Sequence, residues 1–109
     1  IYRLQILSSK SYSEEQLNNI IGVSSNFPYA DWGIEIIQSG ENFSEILVYF
    51  LSLLEGKYEK LESIGISREN ISIWVLYEYE GQCNMEYDPV SIKKMGENGI
   101  ALCISCWEK

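Results

Sequence analysis

Two sets of residues have types and spacing that could do chemistry. The stretch ALCISCW, Ala101 to Trp107, carries the pattern C-x-x-C, and Glu78 and Glu80 form a spaced carboxylate pair after the apolar run ISIWVLY. A C-x-x-C dithiol needs a helix N-terminus to stabilise its thiolate, and the alternating apolar pattern around Cys103 and Cys106 predicts a strand instead. In a strand, residues three apart point to opposite faces, so these two thiols are badly placed to share a disulfide or a metal ion. Core or sheet-face packing is the expected role of both cysteines.

Other site chemistry is short of parts. Histidine is absent, which removes the usual general base for a serine or cysteine nucleophile, and Cys83, Cys103 and Cys106 offer only three thiols for zinc. Glu86, Asp88 and Glu108 follow no ligand spacing, and no loop is dense enough in oxygen ligands for calcium. Glu78 and Glu80 should share the strand face of Trp74 and Leu76; enclosure there would raise a carboxyl pKa, whereas the simpler expectation is a solvated rim. Gly96-x-x-Gly99 ends a helix and opens none, so it is no phosphate loop. No catalytic set, metal site or cofactor is therefore expected.

The remaining candidates are contacts. Trp74, Tyr77, Tyr79, Tyr87 and Trp107 are first of all packing residues, but indole and phenol groups also suit interfaces. With Glu78, Glu80 and Glu86 nearby in sequence, the expected partner-binding residues are Trp74, Glu78, Glu80, Glu86, Tyr87 and Trp107. Sixteen acidic and eight basic residues give a formal charge of -8, which disfavours nucleic acid and anionic membranes and favours a basic protein. Lys57, Lys60, Lys93 and Lys94 could form only small positive patches.

These side chains need a scaffold. A length of 109 residues at 46% hydrophobic composition fits one domain, 1–109, with one modest core. Ile1 to Leu7 alternates as a strand. Ser13 and Gln16 start a short helix ending at Gly22, Ser24 to Tyr29 forms a loop with Pro28, and Trp32 to Gln38 alternates as a second strand. Asn42 with Glu45 opens one long helix whose apolar stripe runs from Phe43 to Ile64 and stops at Gly65, softened at Gly56. Ile71 to Tyr79 is the clearest strand; apolar residues on both of its faces predict a central strand or one carrying a groove. Gly81 permits a turn before an extended piece, Cys83 to Tyr87. Asp88-Pro89 starts a helix through Ile92 and Met95 that stops near Gly96 and Gly99, and Ile100 to Trp107 closes the chain as a strand. The expected fold is an α+β sandwich, a mostly antiparallel sheet covered by about three helices.

No segment reaches the roughly 20 apolar residues of a membrane helix. An odd cysteine count without a disulfide framework predicts a reducing, cytoplasmic setting. A chain starting at Ile1 rather than Met is read as processed or trimmed.

Across Gln82-Cys83-Asn84-Met85-Glu86-Tyr87, Asp88-Pro89, the helix through Lys94, and Gly99 to Trp107, the sequence resembles the bacterial family called domain of unknown function 4279. The likeness is most specific over Ile71 to Trp107 and extends loosely through Trp32 and the middle helix; the short Asn26 to Asp31 connection departs from longer loops in relatives. The resemblance implies a single α+β domain and, through similar proteins, an immunity protein of a polymorphic toxin system, which would occlude a basic toxin stoichiometrically. It supplies no catalytic residues to carry over. The competing expectation is a small-molecule-binding domain or small enzyme with a carboxylate-lined pocket, and a homodimer is a further expectation.

Overall fold

In the computed structural model, which describes residues 1–37 and 42–109, period-2 and period-3.6 apolar patterns converge on a single core. The strands are β1 (Tyr2–Ile6), β2 (Trp32–Ile36), β3 (Ile71–Tyr79) and β4 (Ala101–Glu108), in the order β2-β1-β3-β4. β1 pairs antiparallel with both β2 and β3, and β3 pairs parallel with β4. The helices are α1 (Glu14–Ile21), α2 (Phe43–Leu54), α3 (Tyr58–Ser63) and α4 (Pro89–Asn98), with a 3-10 turn at Arg68–Asn70 leading into β3. The described residues thus form one compact α+β domain with a mixed sheet, and β3 takes a central position, one of the two alternatives its apolar faces left open.

Side-chain alternation decides where the helices lie. On one face Tyr2, Leu4 and Ile6 align with Ile36, Ile34 and Trp32 of β2 and with Val75, Ile73 and Ile71 of β3. The buried members of this set pack with Leu17, Ile21, Ile46, Leu47, Phe50, Leu54, Leu61 and Met95 from the helices. The opposite face carries Arg3, Gln5, Glu35, Ser72, Trp74, Leu76 and Glu78, so polar side chains mark the side without helices.

Local chemistry sets the helix ends. Ser13 Oγ accepts from the N–H of Gln16 (3.1 Å), Asn42 Oδ1 from Glu45 (3.0 Å) and Asp88 Oδ1 from Ser91 (2.9 Å), satisfying donors that have no partner within the helix. The expected single helix from Phe43 to Gly65 is instead two. At Glu55 the backbone leaves the helical region (ψ 126°), and Gly56 takes φ +75°, a left-handed conformation that glycine adopts without a Cβ clash. Lys57 Nζ then donates to the Ile21 carbonyl at 2.9 Å, tying this corner to the end of α1. Leu54 and Leu61, one on each side of the break, are both fully buried, which is why the apolar stripe stayed in phase. Among the described residues, four helices therefore cover the sheet, close to the three or so expected. β2 ends at Ile36 and Ile37 is no longer strand; Gln38, the expected end, lies outside the described residues.

Candidate acidic and aromatic binding surface

The two outer strands of the sheet are finished differently. At β2, Gly33 donates to Ser25 Oγ (3.0 Å) and accepts from Asn26 N–H (2.9 Å). Glu35 donates to Asn26 Oδ1 (2.7 Å) and accepts from Asn26 Nδ2 (3.2 Å). The loop thus covers this edge. It also drapes Phe27 over the sheet: a Cβ on Gly33 would stand 3.0 Å from that of Phe27, and the Arg3 guanidinium lies 3.9 Å from the Phe27 ring centre. Arg3 also pairs with Glu35 at 2.9 Å, so the cation on this half of the face is matched.

Among the described residues, the β3–β4 half lacks such a cover. Its helix-free face presents Ser72, Trp74, Leu76 and Glu78 beside Ala101, Cys103, Ser105 and Trp107. Trp74 is half-buried, its indole N–H donating to Ser72 Oγ at 2.9 Å. It stands between Arg3 of β1 and Cys103 of β4. Glu78 and Trp107 are direct cross-strand partners, which sets them roughly 5 Å apart. Both are exposed, Trp107 at 43%. Glu80 follows the end of β3 and is exposed, as is Glu108 opposite Tyr79. The ends of β3 and β4 therefore join an exposed indole to three exposed acids.

Glu86 and Tyr87 belong to a different surface. The Cys83 to Tyr87 segment forms no strand, and it helps line a recess of about 260 Å³ with Tyr2, Phe43 and Tyr77, residues of the helix-covered side. Glu86 is exposed there. Tyr87 is half-buried, its ring 4.8 Å from that of Phe43 and its hydroxyl donating to Met85 Sδ at 3.3 Å. Burial, then the neighbouring Tyr2, Cys83 and Cys106, push its pKa above the usual phenol value. Of the six expected contact residues, the sheet brings Trp74, Glu78 and Trp107 onto one face with Glu80 at its rim, and puts Glu86 and Tyr87 around the corner.

The C-x-x-C cysteines face opposite sides, Cys103 beside Trp74 and Cys106 beside Tyr77. The neighbour of Cys106 is instead Cys83. Desolvation raises the Cys83 pKa, and the charge of Cys106 and a hydrogen bond to it raise it further. A raised pKa keeps this thiol protonated and a poor nucleophile at neutral pH. All three cysteines are free, and no cluster of three or more His, Cys, Asp or Glu that could hold a metal occurs among the described residues.

Larger recesses lie away from Glu78 and Glu80 but carry other carboxylates, Glu55 in one and Glu35 and Glu45 in another. One of about 470 Å³ runs between α2 and α4 past Val48, Leu51, Tyr58 and Lys94, and one of about 600 Å³ lies against β2 at Ile34, Ile36 and Tyr49. Neither Glu78 nor Glu80 lines either of them. Among the described residues, no helix is long and apolar enough to cross a membrane. Comparison with known proteins finds no matching family model, no similar curated protein and no similar solved structure.

Proposed function

We propose that this chain is a non-enzymatic protein-binding domain that meets a basic protein with the exposed ends of β3 and β4, in the manner of a cytoplasmic bacterial immunity protein occluding a basic toxin. The observation that carries the reading is the Glu78–Trp107 pair on the helix-free face, with Glu80 just past the end of β3 and Glu108 next to Trp107 on the other face of β4. An exposed indole supplies the apolar anchor typical of interface hot spots, and the acids around it select a cationic partner and speed its approach. The net charge of -8 extends the same preference over longer range.

The test is affinity capture of the tagged chain from its native cells at low and raised salt, with mass spectrometry of what is retained. The expected result is a one-to-one complex with a basic protein, weakened by salt. Recovery of only acidic or salt-insensitive partners would contradict the reading.

A further inference from the structure

The bare edge of β4 leads to a second binding surface. Lys109 N–H donates to the Tyr79 carbonyl at 2.8 Å, which fixes the phase of the parallel ladder: odd-numbered residues of β4 direct their N–H and C=O groups at β3. Those of Leu102, Ile104, Cys106 and Glu108 therefore point outward, and among the described residues no hydrogen bond reaches them. The corresponding groups of β2 are satisfied by Ser25 and Asn26. Edge strands are ordinarily protected by proline, lysine, a bulge or a covering loop. From Ala101 to Trp107, β4 has no proline, glycine or charge, and it runs in unbroken register with β3.

We propose that β4 pairs antiparallel with β4 of a second copy of this chain, about a two-fold axis through Ile104, joining two four-stranded sheets into one. The phase allows Ile104 opposite Ile104 and Leu102 opposite Cys106 as hydrogen-bonded pairs. On the helix-free face the same register sets Ala101 opposite Trp107 and Cys103 opposite Ser105, so each indole meets the smallest side chain of the strand. Ile104 and Trp107, 47% and 43% exposed in the single chain, gain apolar neighbours.

Charge fits this register despite the acidity of the chain. The two Glu108 side chains fall at opposite ends of the ladder, roughly 27 Å apart at about 3.4 Å per residue, well beyond the screening length of about 8 Å at physiological salt. Each lies opposite Ile100 of the other copy, at the strand end where Arg68 packs against Gly99. The Arg68 side chain is 39% exposed and its nearest acid, Glu62, is 3.9 Å away. The apolar alternation of β4 thus suits a copy of itself. Glu78 remains open on the helix-free face of the joined sheet, whereas Trp107 and Glu108 are shared between the dimer and the proposed basic partner.

Sedimentation equilibrium on the full chain at tens of micromolar and physiological salt tests the proposal. The expected mass is twice 12.6 kDa. Ile104→Pro removes an outward N–H and no bond within the chain, and Ile104→Lys places a charge on the axis; both are expected to remain folded by circular dichroism and to sediment as monomers. Ser105→Pro, which removes a bond to β3, is expected to lower the melting temperature more than Ile104→Pro. A monomeric parent chain would overturn the proposal, as would a dimer that persists in folded Ile104→Lys.

Discussion

Glu78 of β3 and Trp107 of β4 are cross-strand partners on the sheet face that no helix among the described residues covers, both open to solvent at the acidic end of the molecule. Their exposure separates recognition from stability. Glu78→Lys is expected to change the unfolding free energy by less than about 0.5 kcal/mol, as surface substitutions away from buried networks do, and Trp107→Ala, which removes an indole 43% exposed, by about 1 kcal/mol without unfolding the domain. Urea denaturation of the two variants beside the parent checks this.

The core is expected to respond in the opposite way. Phe50 is fully buried in the layer between α2 and the sheet. Phe50→Ala removes a ring that its neighbours can replace only in part, and a loss of about 3–5 kcal/mol is expected. For a small domain that is a large share of the total stability, so the urea midpoint should fall sharply or the variant should be unfolded in buffer.

Gly56 isolates a backbone effect from a packing effect. Nothing lies within 4 Å of a Cβ placed there, yet φ is +75°. Gly56→Ala is expected to cost about 1–2 kcal/mol through the left-handed conformation alone. Far-UV circular dichroism should show an unchanged helix content, because Lys57 and the buried pair Leu54 and Leu61 hold the corner.

Asp88 supplies the pH dependence. The N–H of Ser91, and then its hydroxyl, hold the Asp88 carboxyl below its usual pKa. A carboxyl lowered on folding stabilises the fold fully above its unfolded pKa of about 3.9, and the contribution is lost as pH falls through the lowered folded value. Asp88→Asn retains an acceptor oxygen but does not titrate. The melting temperature of the parent is expected to exceed that of Asp88→Asn at neutral pH, with the gap narrowing in acid; a constant gap would show that the cap charge does not matter.

Short-range features of this fold were legible in the sequence, and long-range ones were not. Ser13, Asn42 and Asp88 are readable as caps because capping involves residues only three positions apart. The faces of β3 are readable because its period is 2, and that same alternation puts Glu78 with Trp74. The break at Gly56 escapes periodicity because Leu54 and Leu61 remain on one stripe across it. The meeting of Cys83 with Cys106 depends on how the segment after Gly81 folds back over the sheet, and the motif C-x-x-C directs attention to the wrong pair. Strand order decides that β2 is covered by Ser25 and Asn26 while β4 is bare, and no local pattern encodes it. Glu86 and Tyr87 are close to Glu80 in sequence but turn the corner with that same segment.

The most direct test of the central claim is isothermal titration of the captured basic partner with the parent chain, with Trp107→Ala and with Glu78→Lys. A one-to-one complex is expected. Truncating a hot-spot indole costs about 2 kcal/mol or more, so Trp107→Ala should weaken binding by roughly 30-fold or more, and Glu78→Lys should weaken it most at low salt. Affinities for both variants equal to that of the parent would place the binding surface elsewhere and contradict the account.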